Sequence, residues 1–172
     1  MPGALAADGG GAGAGADQIG YAYAAGLIDG EGCIRIARSR VVPTNENRSV
    51  CYSIELQIRM TDRSPLDYLQ ELFGLGHIYA TASSKPQWKD TYVWMCKSGQ
   101  VTKVLRLVRP YLIIKARQAD LALEFDGRLR VVGFKSRVPE ALITQRDRLY
   151  QQMRRLNARG KEGQMILQGS SA

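Results

Sequence analysis

From Ser53 to Thr61 apolar and polar residues alternate without a break, with Ile54, Leu56, Ile58 and Met60 on one parity and Ser53, Glu55, Gln57, Arg59 and Thr61 on the other. A period of two describes a strand with one face to bury and one face left polar. Ile34 and Ile36 repeat the pattern between Cys33, Arg35, Ala37 and Ser39, and the loop Val41–Asn47 separates the two strands. His77–Ala82 and Thr91–Lys97 read as a second strand pair around the loop Ser83–Asp90. Helical spacing takes over elsewhere. Asp17 is a plausible N-cap for a helix Gln18–Asp29, Ser64–Phe73 carries Leu66, Leu69 and Leu72 on one face, and Gln100 opens a helix that runs to Pro110. Tyr111–Phe125 and the basic stretch Pro139–Asn157 complete the series. The order α-β-β-α-β-β-α plus C-terminal helices gives an α+β fold, with antiparallel hairpins polar on one side and helices behind them.

The 172 residues suffice for one domain, placed at 17–160 between a Gly/Ala-rich tail, 1–16, expected to be disordered, and a flexible C-terminal tail, 161–172. No apolar run approaches a membrane span and no secretory leader is present, so the expected setting is intracellular, a bacterial cytoplasm or an organelle. The Gly/Ala/Arg-rich composition hints at a GC-rich coding genome. Cys33, Cys51 and Cys96 are odd in number and form no CxxC pair, which suits free thiols. The single histidine, His77, excludes histidine-rich zinc sites and leaves Ser-His-Asp chemistry little to stand on; a strand-edge role fits it better. Net charge is +8, and the excess lies in residues 101–172, with fifteen Lys/Arg against six Asp/Glu. Such a balance suits a polyanion, although a solvated basic face produces the same count.

The first helix has an odd composition. Ala22, Gly26 and Gly30 recur at i, i+4 and i+8 beside Ala25, a stripe of small residues over which a second helix can approach closely. Its end reads Ala24-Ala25-Gly26-Leu27-Ile28-Asp29-Gly30-Glu31-Gly32, which resembles the LAGLIDADG motif of homing endonucleases, with Ala for the leading Leu, Gly for the second Ala and Glu for the second Asp. Pro110-Tyr111-Leu112-Ile113-Ile114-Lys115-Ala116-Arg117-Gln118-Ala119 is similar to a second stretch of that family, which carries a basic active-site residue, here Lys115. The resemblance covers roughly residues 18–130. It implies a site-specific double-strand DNA endonuclease with a long, partly palindromic target, making short 3′ overhangs that promote insertion of an intron or intein. RNA maturases and non-cleaving DNA-binding regulators share the fold and are the alternative.

Phosphodiester hydrolysis needs an activated water and charge neutralisation at phosphorus, both within reach of a divalent metal. By resemblance Glu31 and the Gly30 carbonyl hold Mg2+, with Mn2+ a substitute and Ca2+ supporting binding but little cleavage. Asp29 reads as structural or capping. One motif per chain implies a homodimer across Ala22, Ala25 and Gly26. The family's glutamine near the end of the second strand is missing; Thr61 is its nearest positional match, and Arg63 could supply the accompanying basic group. Alternation places Arg35, Ala37, Ser39, Glu55, Gln57 and Arg59 on the solvent face, where the resemblance implies base contacts on double-stranded DNA; Arg38, Arg40, Arg48, Lys85, Lys89 and Lys97 are the better candidates for phosphates. An ordinary half-exposed sheet shows the same alternation.

Overall fold

The computed structural model describes residues 11–40, 50–83, 85–129 and 139–158. The elements follow in the order α1 (Gly11–Glu31), β1 (Gly32–Arg40), β2 (Val50–Met60), α2 (Ser64–Phe73), β3 (His77–Thr81), β4 (Thr91–Lys97), α3 (Gly99–Val108), a 3-10 turn (Arg109–Tyr111), α4 (Ala116–Leu129) and α5 (Glu140–Leu156). The α+β reading holds. The strands form one antiparallel sheet of four in the order β1-β2-β4-β3, so both hairpins share a sheet through the β2–β4 pair, where Leu56 faces Cys96 and Ile58 faces Trp94.

Parity sorts the sheet. Ile34, Ile36, Ile54, Leu56, Ile58, Trp94 and Cys96 are buried and join Ala24, Ala25 and Ile28 of α1 in one core with Leu66, Leu69, Val101, Leu105, Ala119 and Leu149. Burial of these side chains, each contributing about 1.5–3 kcal/mol for the larger aliphatics, is what keeps the helices on one side of the sheet. At Gly32, where α1 turns into β1, a Cβ would lie 2.6 Å from the Ile28 carbonyl oxygen, so only glycine permits the helix to run straight into the strand.

Three expectations change. The helix α1 begins at Gly11, so part of the expected tail is helical; alanine is the best helix former, and a nucleated helix extends at little further cost. Residues 1–10 and 161–172 lie outside the described residues. Leu112 is extended, with φ −74° and ψ 131°, so the helix read from Tyr111 starts at Ala116 instead. Ala25 is buried inside the protomer, whereas Ala22, Gly26 and Gly30 are exposed, so Ala25 faces the core and not a partner. Among the described residues no helix is long and apolar enough to cross a membrane.

Candidate functional site at the end of the first helix

The chemistry-bearing side chains gather where α1 ends. Asp29 and Glu31 stand two residues apart but in opposite circumstances. The Asp29 carboxylate accepts backbone N–H groups from Ile113 at 2.8 Å, Ile114 at 3.1 Å and Lys115 at 2.9 Å, the residues leading into α4. The Lys115 ammonium returns a hydrogen bond to the Asp29 carbonyl. Each partner therefore closes the other's helix end: a carboxylate meets the unpaired N–H groups before α4, and an ammonium meets the last carbonyls of α1. Desolvation opposes the Asp29 charge, but the three N–H donors and Lys115 outweigh it and hold the carboxyl below its ordinary range. Burial lowers the Lys115 pKa, against the opposing pull of Asp29, Cys33 and Glu31.

Glu31, the last residue of α1, is exposed, and its carboxylate takes part in no hydrogen bond or ion pair among the described residues. It nevertheless lies close enough to Lys115 to act on its charge. Glu31, the neighbouring Gly30 and Lys115 are thus brought together. Thr61 and Arg63 are not tied to them. Thr61 is exposed beyond the end of β2, and Arg63 ion-pairs with Asp67 at 3.1 Å while its guanidinium lies 6.0 Å from the Tyr92 ring centroid. Cys33 was no candidate from sequence; it is half-buried beside Lys115, opposite Gln57.

The outer face of the sheet carries Arg35, Ala37 and Ser39 on β1 with Gln57 and Arg59 on β2, the parity expected. Glu55 is there too, but it is buried, its carboxylate held by Arg35 at 2.6 Å, so it is not free to meet a base. Lys97 pairs in register with Glu55, giving a plus-minus-plus row across three strands. Arg59 donates to the Thr91 hydroxyl at 3.1 Å. Arg38 belongs to the other parity and lies under α5, 3.8 Å from Asp147. Arg40 pairs in register with Val50 at the far end of β1, and Arg48 lies outside the described residues. Lys85 and Lys89 are exposed in the β3–β4 connection, Lys85 seated 4.4 Å over the Trp88 ring. His77 opens β3, exposed and stacked on Tyr79 with centroids 5.8 Å apart.

Solved structures of known proteins share this fold. The homing endonuclease I-CvuI, in crystals with its target and calcium, shares 20% identity over 85% of this chain and 87% of its own, with a TM-score of 0.65. In crystals with the I-CreI target and magnesium, its DNA not cleaved, it gives 19%, 90%, 96% and 0.68. The archaeal intron-encoded homing endonuclease I-Vdi141I, complexed with DNA, gives 17% identity, coverage of 88% and 97%, and a TM-score of 0.67. These are likenesses of fold. No curated protein matches the chain. The sequence profile of the LAGLIDADG endonucleases matches residues 24–123, a span that includes both Glu31 and Lys115, and the chain belongs to the LAGLIDADG endonuclease family.

Proposed function

We propose that this chain acts as a homodimeric, divalent-metal-dependent DNA endonuclease. The observation that carries the proposal is the division of labour at the end of α1: Asp29 is fully occupied by structure, while Glu31 stands exposed and unpaired beside the half-buried Lys115. A domain that only bound DNA would have a structural use for Lys115 at the end of α1 but none for an exposed, unpaired carboxylate at Glu31.

Among the described residues no cluster of three or more His, Cys, Asp or Glu side chains could hold a metal ion. One chain therefore offers a partial donor set: the Glu31 carboxylate and the Gly30 carbonyl, hard oxygens suited to Mg2+ or Ca2+, with Mn2+ an expected substitute. A second copy and DNA phosphates complete it. When bound, such an ion lowers the pKa of a water and neutralises charge at phosphorus. Glu31 would supply the carboxylate oxygen that holds the ion. Lys115 places a positive charge beside the phosphate, where negative charge develops most in the transition state. Asp29 keeps both groups in place by locking α1 to the start of α4.

The exposed face of α1 supports the dimer. Ile19, Ala22, Tyr23, Gly26 and Gly30 line it at helical spacing, and a Cβ added at Gly26 meets nothing within 4 Å in the protomer. Ile113 and Ile114 are 85% and 71% exposed, apolar surface beside the same helix end, as a protein contact would require. Gly26→Leu fits the protomer and obstructs helix-on-helix approach, so sedimentation should show loss of a dimer from a protein that still folds.

The decisive experiment is plasmid cleavage from a randomised target library in Mg2+, repeated with Glu31→Gln. Wild type linearises a subset of plasmids and the variant none. Sequence-selective binding without cleavage by wild type would instead make the chain a DNA-binding regulator; selective RNA binding would make it a maturase.

A further inference from the structure

Away from the sheet face and the α1 corner, the C-terminal helix builds a basic feature of its own. An open cavity of roughly 530 Å³ lies between β1 and the last turns of α5, lined by Arg35, Ile36, Arg38, Tyr150, Arg154 and Asn157. β1 is an edge strand of the sheet, so its outer backbone groups need other partners. The Asn157 amide donates to the Ile34 carbonyl at 2.8 Å, which fixes the end of α5 against that edge. In an antiparallel strand the residue two along points its backbone the same way, so Ile36 directs its N–H into the cavity.

The three guanidiniums are held differently. Arg35 is committed to Glu55 at 2.6 Å. Arg38 is shared loosely with Asp147 at 3.8 Å and stands 6.0 Å from the Tyr52 and Tyr150 ring centroids. Arg154 stands 5.8 Å from the Tyr150 ring centroid and has no acidic partner among the described residues. The acids that face this group are Glu55 on β2 and Asp147 on α5, and Asp147 already accepts the Tyr52 hydroxyl at 2.8 Å. The cavity lining holds cations and no carboxylate, and it opens at the rim of the face that carries Ala37 and Ser39.

We propose that this cavity seats a backbone phosphate of the bound duplex, with Arg154 and Arg38 as its cations and the Ile36 N–H as a further donor. The site rests on the DNA-binding reading above and deepens it, because α5 lies outside the 24–123 span that identifies the family. A phosphate contact of this kind positions the protein without reading sequence. It therefore acts equally on cognate and random duplexes.

The test is binding of a random-sequence duplex at stepped salt, using wild type, Arg154→Gln, Arg154→Lys and Arg155→Gln, with thermal melting to confirm folding. Arg155 is the neighbouring residue but lines the groove between α4 and α5. The proposal expects the log-affinity against log-salt slope of Arg154→Gln to be shallower than wild type by about 0.9. Over a fourfold rise in salt, wild type then loses about threefold more affinity than the variant. Arg154→Lys and Arg155→Gln keep the wild-type slope. An unchanged slope in Arg154→Gln, or an equal change in Arg155→Gln, overturns the seat while leaving DNA binding intact. Calorimetry with inorganic phosphate alone separates the sources: heat abolished by Arg154→Gln, beside an unchanged DNA slope, assigns the cavity to a free anion and overturns the backbone contact. If wild type binds no duplex at all, the DNA reading and the seat fall together.

Discussion

Asp29 and Glu31 sit within one turn of the same helix end and have the same chemistry in isolation. Asp29 is enclosed by three N–H donors and an ammonium; Glu31 faces outward with its lone pairs uncommitted. A carboxylate satisfied by fixed donors stabilises a fold and has little left for a ligand, while one left unsatisfied at the surface costs little and stays available. The difference between them is made by residues 113–115, far away in sequence. Substitutions should separate the two roles cleanly.

The largest effect belongs to Glu31→Gln, for which we predict a loss of cleavage of about three orders of magnitude, the range for removing a group that stabilises transition-state charge. Its melting temperature should match wild type, since no contact among the described residues is lost. Equal cleavage rates would break the comparison. Lys115→Met comes next, with cleavage slower by about a hundredfold and DNA affinity nearly kept, in single-turnover assays. Because the ammonium also caps α1, a small drop in melting temperature should accompany it.

Asp29→Asn reverses the pattern. Urea titration should show a loss of about 2 kcal/mol, the scale of hydrogen bonds to a charged acceptor. Its pH dependence sharpens the point. The folded pKa of Asp29 lies below the ordinary aspartate range, so its stabilisation is complete above that range and disappears as pH falls through the lower, folded pKa. The acid limb of the stability curve should therefore be flatter in Asp29→Asn than in wild type.

How much of this was legible depended on how far each residue's partner lay. The β2 strand could be read because burial on one face writes itself into alternate positions, Ile54, Leu56 and Ile58. The same parity sends Arg38 to the helix side with Ile34 and Ile36, a conclusion available from the pattern once charge is set aside. The start of α1 was not legible, since Gly/Ala repeats have no hydrophobic period. Residues 112–115 look helical in isolation because nothing local announces that their N–H groups belong to Asp29. Glu55 looks like a base contact until register sets Arg35 directly opposite it.

The Arg35–Glu55 lock has a practical meaning for anyone redesigning this surface. Changing Glu55 alone frees a guanidinium on the edge strand of the sheet, and changing Arg35 alone strands a buried negative charge. The two positions form one unit of inheritance, so a library that varies them singly samples mostly damaged proteins. Joint randomisation, with Lys97 as the third member of the row, is the route by which a new preference could be reached without crossing an unstable intermediate.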